Sequence, residues 1–152
     1  MSCDYFALAN SGVQGLSPYQ AGKPIEELQR ELGLEHIVKL ASNENPLGPS
    51  KKVLAAIERA GADIVRYPDS NGFELKQALA QRLAVSTEQL TLGNGSNDVL
   101  DLIARVFLEP GKSAVFSQHA FIVYPLAVQA CGARAIVTQA KNWGHDLDAM
   151  AA

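Results

Sequence analysis

The residue pattern predicts an α/β fold with a mostly parallel sheet, and three observations carry that expectation. From Gln89 onward, short apolar runs alternate with amphipathic segments of helical period, the order that crossover helices between parallel strands produce. The stretch Leu90-Thr91-Leu92-Gly93-Asn94-Gly95-Ser96-Asn97 reads as a strand, a glycine-rich turn and a helix start. The composition is that of an ordinary globular protein: 152 residues, 47% hydrophobic, 19% charged, formal net charge −3. A chain of this length buries roughly 70% of its unfolded surface when it folds as one domain.

The elements follow in order. Residues 1–20 lack periodicity, and Pro18, Gly22 and Pro24 mark an irregular arm. Pro24 suits the first turn of a helix whose face is Ile25, Leu28 and Leu32, with Gly33 as its stop. Residues 37–40 form a short apolar run of strand character. Residues 41–49, with two prolines, are a polar loop. Ser50 caps the next helix, which buries Val53, Leu54 and Ile57 and ends at Gly61. A turn-forming loop at 66–72 precedes a helix over 73–84, striped by Leu75, Leu79 and Leu83.

Residues 90–92 are the next strand. Asn97 reads as the cap of a helix whose buried face is Val99, Leu102, Ile103, Val106 and Phe107. Residues 114–116 and 135–138 are two further strands, joined by a helix over 124–131 with Pro125 in its first turn and Gly132 beyond its end. Asp146 caps a last helix that begins at Leu147. Three short strands make a poor doubly wound sheet, because parallel sheets need both faces covered, so the chain reads as part of a longer protein.

Charge and cysteine usage narrow the class. Lys51-Lys52 is the only adjacent basic pair, so nothing points to nucleic acid. Cys3 and Cys131 have no metal-like spacing and make no disulfide framework. There is no basic n-region ahead of an apolar run, and no apolar run reaches the ~18 residues a membrane span needs. The expectation is a reduced, cytoplasmic protein.

The chemistry-bearing feature is the turn at 93–97. A glycine-rich turn at a helix N-terminus aims backbone N–H groups outward at the positive end of the helix dipole, which suits a phosphate. Asn94 and Gly95 tolerate positive φ, and Ser96 adds a hydroxyl. A plain strand-to-helix turn uses the same residue types. A dinucleotide-binding loop fits less well, because the third glycine of G-x-G-x-x-G is missing.

Five blocks carry a resemblance: Leu16-Ser17-Pro18-Tyr19; Lys39-Leu40-Ala41-Ser42-Asn43-Glu44-Asn45-Pro46-Leu47-Gly48-Pro49; Arg66-Tyr67-Pro68-Asp69; Leu92-Gly93-Asn94-Gly95-Ser96-Asn97; and His119-Ala120-Phe121-Ile122-Val123-Tyr124-Pro125. In these the chain resembles the N-terminal part of histidinol-phosphate aminotransferases, fold type I pyridoxal-phosphate enzymes. The resemblance covers all 152 residues but less than half of a family member.

It implies a three-layer α/β/α architecture, with an arm and part of a small domain at 1–48 and the first part of the large cofactor domain at 49–152. It also implies amino transfer between L-histidinol phosphate and 2-oxoglutarate in histidine biosynthesis, by a homodimer using pyridoxal 5'-phosphate. By the same resemblance Asn94, Gly95 and Ser96 hold the phosphate, and Phe121 stacks on the pyridine ring. Tyr67 reaches the phosphate of the neighbouring subunit. Tyr19, Asn43 and Asn45 lie near the substrate.

The Schiff-base lysine and the aspartate that pairs with the pyridine nitrogen are expected beyond residue 152. None of Lys23, Lys39, Lys51, Lys52, Lys76, Lys112 and Lys141 matches the family's motif, so no catalytic residue is assigned and the chain alone is expected to be inactive. An aromatic amino acid aminotransferase, a threonine-phosphate decarboxylase-like enzyme and a non-catalytic phosphate-binding or dimerisation module are the alternatives. Each position also has a plainer structural reading. Phe121 is then a core aromatic and Tyr67 a half-buried packing residue. Tyr19 is an arm contact, and Asn43 and Asn45 bond only within their loop. His36, His119 and His145 are structural.

Overall fold

The structure, a computed structural model, describes residues 4–20 and 22–152. Cys3 lies outside the described residues. The chain divides into two compact units, one of residues 1–19 with 76–152 and one of residues 20–75. The boundary expected at 48/49 falls inside the second unit.

The first unit is organised by β1 (Ser113–Ser117) and β2 (Arg134–Thr138), which pair in parallel with Val115 opposite Ile136. The crossover is α7 (Val123–Ala130), and α6 (Ser96–Phe107) packs against it. Phe116, Ala104, Ala127 and Val128 form the buried apolar core, beside buried Ser117 and Thr138. Val115 on one face of the pair and Val137 on the other stay about half exposed, so neither face of the two-stranded sheet is fully covered. A short α8 (Leu147–Ala151) rests on β1, and its cap is the expected one, the Asp146 carboxylate accepting from the Ala149 N–H at 3.1 Å.

The expected irregular arm contains two single-turn helices, α1 (Tyr5–Leu8) and α2 (Ser11–Gln14). Asp4 caps the first through the N–H groups of Phe6 and Ala7, and the Gln14 amide ties back to the carbonyls of Phe6 and Ala9. These polar ties replace the apolar periodicity that a sequence search relies on. Helix α2 meets α7 with no room to spare: a Cβ on Gly12 would fall 2.2 Å from the Gln129 carbonyl oxygen.

The second unit holds α3 (Ile25–Leu32), α4 (Lys51–Ala60) and the start of α5 (Phe73–Leu83), within which the division between units falls. Gly33 stops α3 in the left-handed conformation at φ +65°, and the Ser50 hydroxyl caps α4 through the Val53 N–H. The α-helix α4 ends at Ala60 with Gly61 as its C-cap, as expected, but not through a left-handed glycine. Gly61 stays right-handed at φ −58° and leads into a 3-10 turn, Gly61–Asp63. No described residue of this unit is buried, and Val53, Leu54 and Ile57 stay exposed rather than packed.

Two expected strands are not formed. Residues 37–40 pair with no strand among the described residues. Residues 90–92 are extended, with Leu90 at φ −112° and ψ 120°, but have no partner strand and follow a 3-10 turn, Thr87–Gln89, held by a Ser86–Gln89 capping box. A strand is defined by a neighbour, and the described residues supply none there. The expected buried face of α6 is likewise open. Only Ala104 of that helix is buried, and Leu102, Ile103, Val106 and Phe107 are at least 48% exposed.

Candidate functional site: a helix N-terminus and an aromatic loop

The turn before α6 is shaped by two glycines and one carboxylate. Gly93 lies so near the helix that a Cβ would sit 2.9 Å from the Asp98 Cβ and 3.1 Å from the Val99 Cγ2. Gly95 occupies the N-cap position at φ +86° and ψ 179°, a conformation open essentially only to glycine. Asn97 therefore lies inside the helix and is not its cap.

The backbone N–H groups of this turn fall into two sets. Those of Asn94 and Gly95 are engaged, Asn94 with the Asp98 carboxylate at 3.0 Å and Gly95 with the Gly93 carbonyl at 2.8 Å. The Asn94 side-chain amide donates to the same Asp98 oxygen at 3.3 Å. Among the described residues nothing accepts from the N–H groups of Ser96 and Asn97, and no side chain caps the first turn. Two backbone donors and the Ser96 hydroxyl thus stand exposed at the positive end of a 12-residue helix dipole. That donor set matches a phosphate. The Asn94 and Gly95 N–H groups are bonded within the turn itself.

Asp98 is the clasp of this turn. Replacing it with alanine (Asp98→Ala) releases Asn94 and is expected to lower stability by about 0.5–1.5 kcal/mol, the net value of an ordinary hydrogen bond at an exposed site. Chemical denaturation of the complete polypeptide reads this.

The second part of the site is the loop after β1. Residues 118–122 are tied to the end of β2 and the segment after it: the Gln118 N–H donates to the Thr138 carbonyl at 2.8 Å, and the Gln118 side-chain oxygen accepts from the Ala140 N–H at 3.3 Å. The Ala120 N–H closes a turn on Ser117 at 2.9 Å. Phe121 follows, half exposed, and lines a cavity of about 460 Å³ with Phe116, Ser117, Tyr124, His119 and His145. It is not a core aromatic; Phe116 fills that place, with its ring 6.0 Å from Tyr124. His119 stacks on Trp143 with ring centres 5.1 Å apart. Nothing in the spacing of Trp143 along the sequence links it to His119. Among the described residues no lysine lines this cavity.

Tyr19 lies in the same unit, in a shallow pocket of about 300 Å³ with Leu16, Pro18, Asp101, Val123 and Leu126. Asn43, Asn45 and Tyr67 belong to the other unit. Asn45 closes its own loop: its side-chain oxygen accepts from the Leu47 N–H at 3.0 Å and its amide donates to the Gly48 carbonyl at 3.1 Å. Ser42 and Asn43 are both left-handed, at φ +70° and +51°, and Asn43 is exposed. Tyr67 is fully exposed, so it is not the half-buried packing residue of the plainer reading. Among the described residues there is no cluster of potential metal ligands, and no helix is long and apolar enough to cross a membrane. The Cys131 thiol is free.

Comparison with known proteins bears on this arrangement. Residues 35–152 match the family model for aminotransferase class I and II. The chain is 62% identical over 151 residues to histidinol-phosphate aminotransferase 2 of Pseudomonas aeruginosa, covering 98% of this chain and 41% of that protein. A solved histidinol-phosphate aminotransferase of Sinorhizobium meliloti, in complex with pyridoxal-5'-phosphate, superposes with a TM-score of 0.80 at 29% identity, over 92% of this chain and 37% of its own. An α-aminoadipate aminotransferase of Thermus thermophilus, complexed with N-(5'-phosphopyridoxyl)-L-leucine, gives a TM-score of 0.56 at 26% identity over 66% of this chain and 26% of its own. The chain thus spans about two fifths of the length of the curated relative.

Proposed function

The chain belongs to the class I and II aminotransferases, a fold type I architecture, and from that premise we propose that it forms the cofactor-gripping part of a pyridoxal-phosphate-dependent histidinol-phosphate aminotransferase. The reaction moves an amino group between L-histidinol phosphate and 2-oxoglutarate, a step in histidine biosynthesis, in a cytoplasmic homodimer. The observation that carries this reading is the uncapped first turn of α6, with the Ser96 and Asn97 N–H groups free beside the Ser96 hydroxyl. The histidinol-phosphate aminotransferases among its relatives support the substrate.

When bound, the coenzyme supplies the electron sink that amino transfer needs. The residues of this chain hold and orient it. The free donors of Ser96 and Asn97 take the phosphate, so that no donor has to be stripped from a protein partner first. Gly95 lets the phosphate approach the backbone, and Asn94 holds the turn through Asp98. Phe121 offers an exposed aromatic face for the pyridine ring, an arrangement worth about 0.5–1.5 kcal/mol beyond burial. Tyr67, fully exposed on its own unit, is free to serve the phosphate of a second subunit. Tyr19, Asn43 and Asn45 border the substrate. No residue here is assigned as the lysine that links to the coenzyme.

The test is an amino-donor panel with the complete polypeptide and 2-oxoglutarate. L-histidinol phosphate is expected to be turned over with the highest kcat/KM. Preferential turnover of aromatic amino acids, or decarboxylation of threonine phosphate, contradicts the substrate. No turnover of any amino donor, in protein that binds the coenzyme, contradicts the enzymatic reading and favours a binding module.

A further inference from the structure

The hairpin at residues 141–144 is closed by two backbone hydrogen bonds, Lys141 N–H to the Gly144 carbonyl at 3.1 Å and Gly144 N–H to the Lys141 carbonyl at 2.9 Å. Its two central residues are both left-handed, Asn142 at φ +51° and Trp143 at φ +63°. Such a turn favours asparagine followed by glycine. Asn142 obeys that preference. Trp143, the one tryptophan of the chain, sits where a bulky side chain is strained. Backbone strain of this kind persists where the surroundings hold it in place, and it is a pointer toward function.

What Trp143 does there is visible: although 87% exposed, it stacks on His119 at 5.1 Å with an interplanar angle of 25°. His119 stands two residues before Phe121, on the loop that Gln118 already ties to Thr138 and Ala140. The loop carrying Phe121 therefore has two braces to the end of β2 and the segment after it, one of hydrogen bonds and one of stacked rings. We propose that Trp143 is a positioning residue, which through His119 fixes the 118–122 loop so that the Phe121 ring presents its face to the coenzyme. The inference rests on the reading of Phe121 as the coenzyme platform.

The turn itself provides a clean test. Trp143→Gly gives the preferred Asn-Gly turn, so it keeps the hairpin and removes only the ring. In the complete protein, the dissociation constant for pyridoxal phosphate is measured by equilibrium dialysis for the wild type, Trp143→Gly, Trp143→Phe, Phe121→Ala and the double variant Phe121→Ala/Trp143→Gly. Trp143→Gly is expected to weaken coenzyme binding about five- to tenfold, in line with the value of one aromatic contact, and Trp143→Phe to restore most of it. In the Phe121→Ala background Trp143→Gly is expected to add less than twofold, because its effect runs through that ring.

An unchanged constant in Trp143→Gly, with Phe121→Ala weakened, overturns the positioning role and leaves the coenzyme reading standing. Equal losses in both backgrounds also overturn it, since a general structural role acts without Phe121. An unchanged constant in Phe121→Ala sinks the coenzyme platform instead. If Trp143→Gly does not fold, as judged by circular dichroism, His119→Ala removes the other ring, leaves the turn untouched and carries the same expectations.

Discussion

Replacing Ser96 with proline (Ser96→Pro) is expected to weaken pyridoxal phosphate binding by the complete polypeptide about 10²- to 10⁴-fold and to leave α6 formed. Ser96 is the first residue of that helix, where proline is well tolerated because the N–H it lacks has no partner inside the helix. The Ser96 N–H is free among the described residues, so the substitution breaks no existing hydrogen bond. Gly95 at ψ 179° already lies outside the helical region that a following proline disfavours. The variant does lose a backbone donor and a hydroxyl donor to a charged group. Each such bond is worth about 1.5–3 kcal/mol, so the pair accounts for about 3–6 kcal/mol. Ser96→Ala, which keeps the N–H and loses one of the two donors, is expected to lose about 10- to 10²-fold. Equilibrium dialysis reads the affinities, and circular dichroism reads the helix. A loss below threefold in folded Ser96→Pro removes the phosphate from this turn.

The 152-residue chain expressed by itself is expected to melt broadly, to bind a hydrophobic dye while native, and to self-associate. Its buried apolar core is Phe116, Val128 and two alanines. A fully buried large side chain contributes about 1.5–3 kcal/mol, and alanine less. Fixing each backbone residue costs about 1–2 kcal/mol, so this core is far too small for a chain of this length. The open face of α6 leaves Val106 and Phe107 at 71% and 65% exposure, and a two-stranded sheet leaves strand edges unpaired. The same chain is expected to give no single-lysine adduct with pyridoxal phosphate on borohydride reduction, because no lysine among the described residues lines the Phe121 cavity. A sharp two-state melt of a monomer would contradict the first expectation, and a stoichiometric adduct at one lysine the second.

Local signals were legible in the sequence wherever the physics is local. The Ser50 and Asp146 caps and the Gly33 stop rest on residues within a few positions of one another, and the parallel pair followed from the strand–helix–strand order around α7. The strand expected at 90–92 and the buried face of α6 depend instead on neighbours that the described residues do not provide. At the candidate site, the glycine-rich turn and the exposure of Ser96 could be read from turn chemistry. Which N–H groups are free could not. That depends on the Asp98 carboxylate folding back onto Asn94, a contact four residues ahead that competes with ordinary helix capping. The pairing of Trp143 with His119 spans 24 positions and joins two loops, and no periodicity announces it.

The measurement that bears most directly on the central claim is a crystal structure of the complete polypeptide with pyridoxal phosphate. Phosphate oxygens within hydrogen-bonding distance of the Ser96 and Asn97 N–H groups, with the pyridine ring against Phe121, are the expected result. A coenzyme phosphate held elsewhere, with the first turn of α6 facing only solvent, would contradict it.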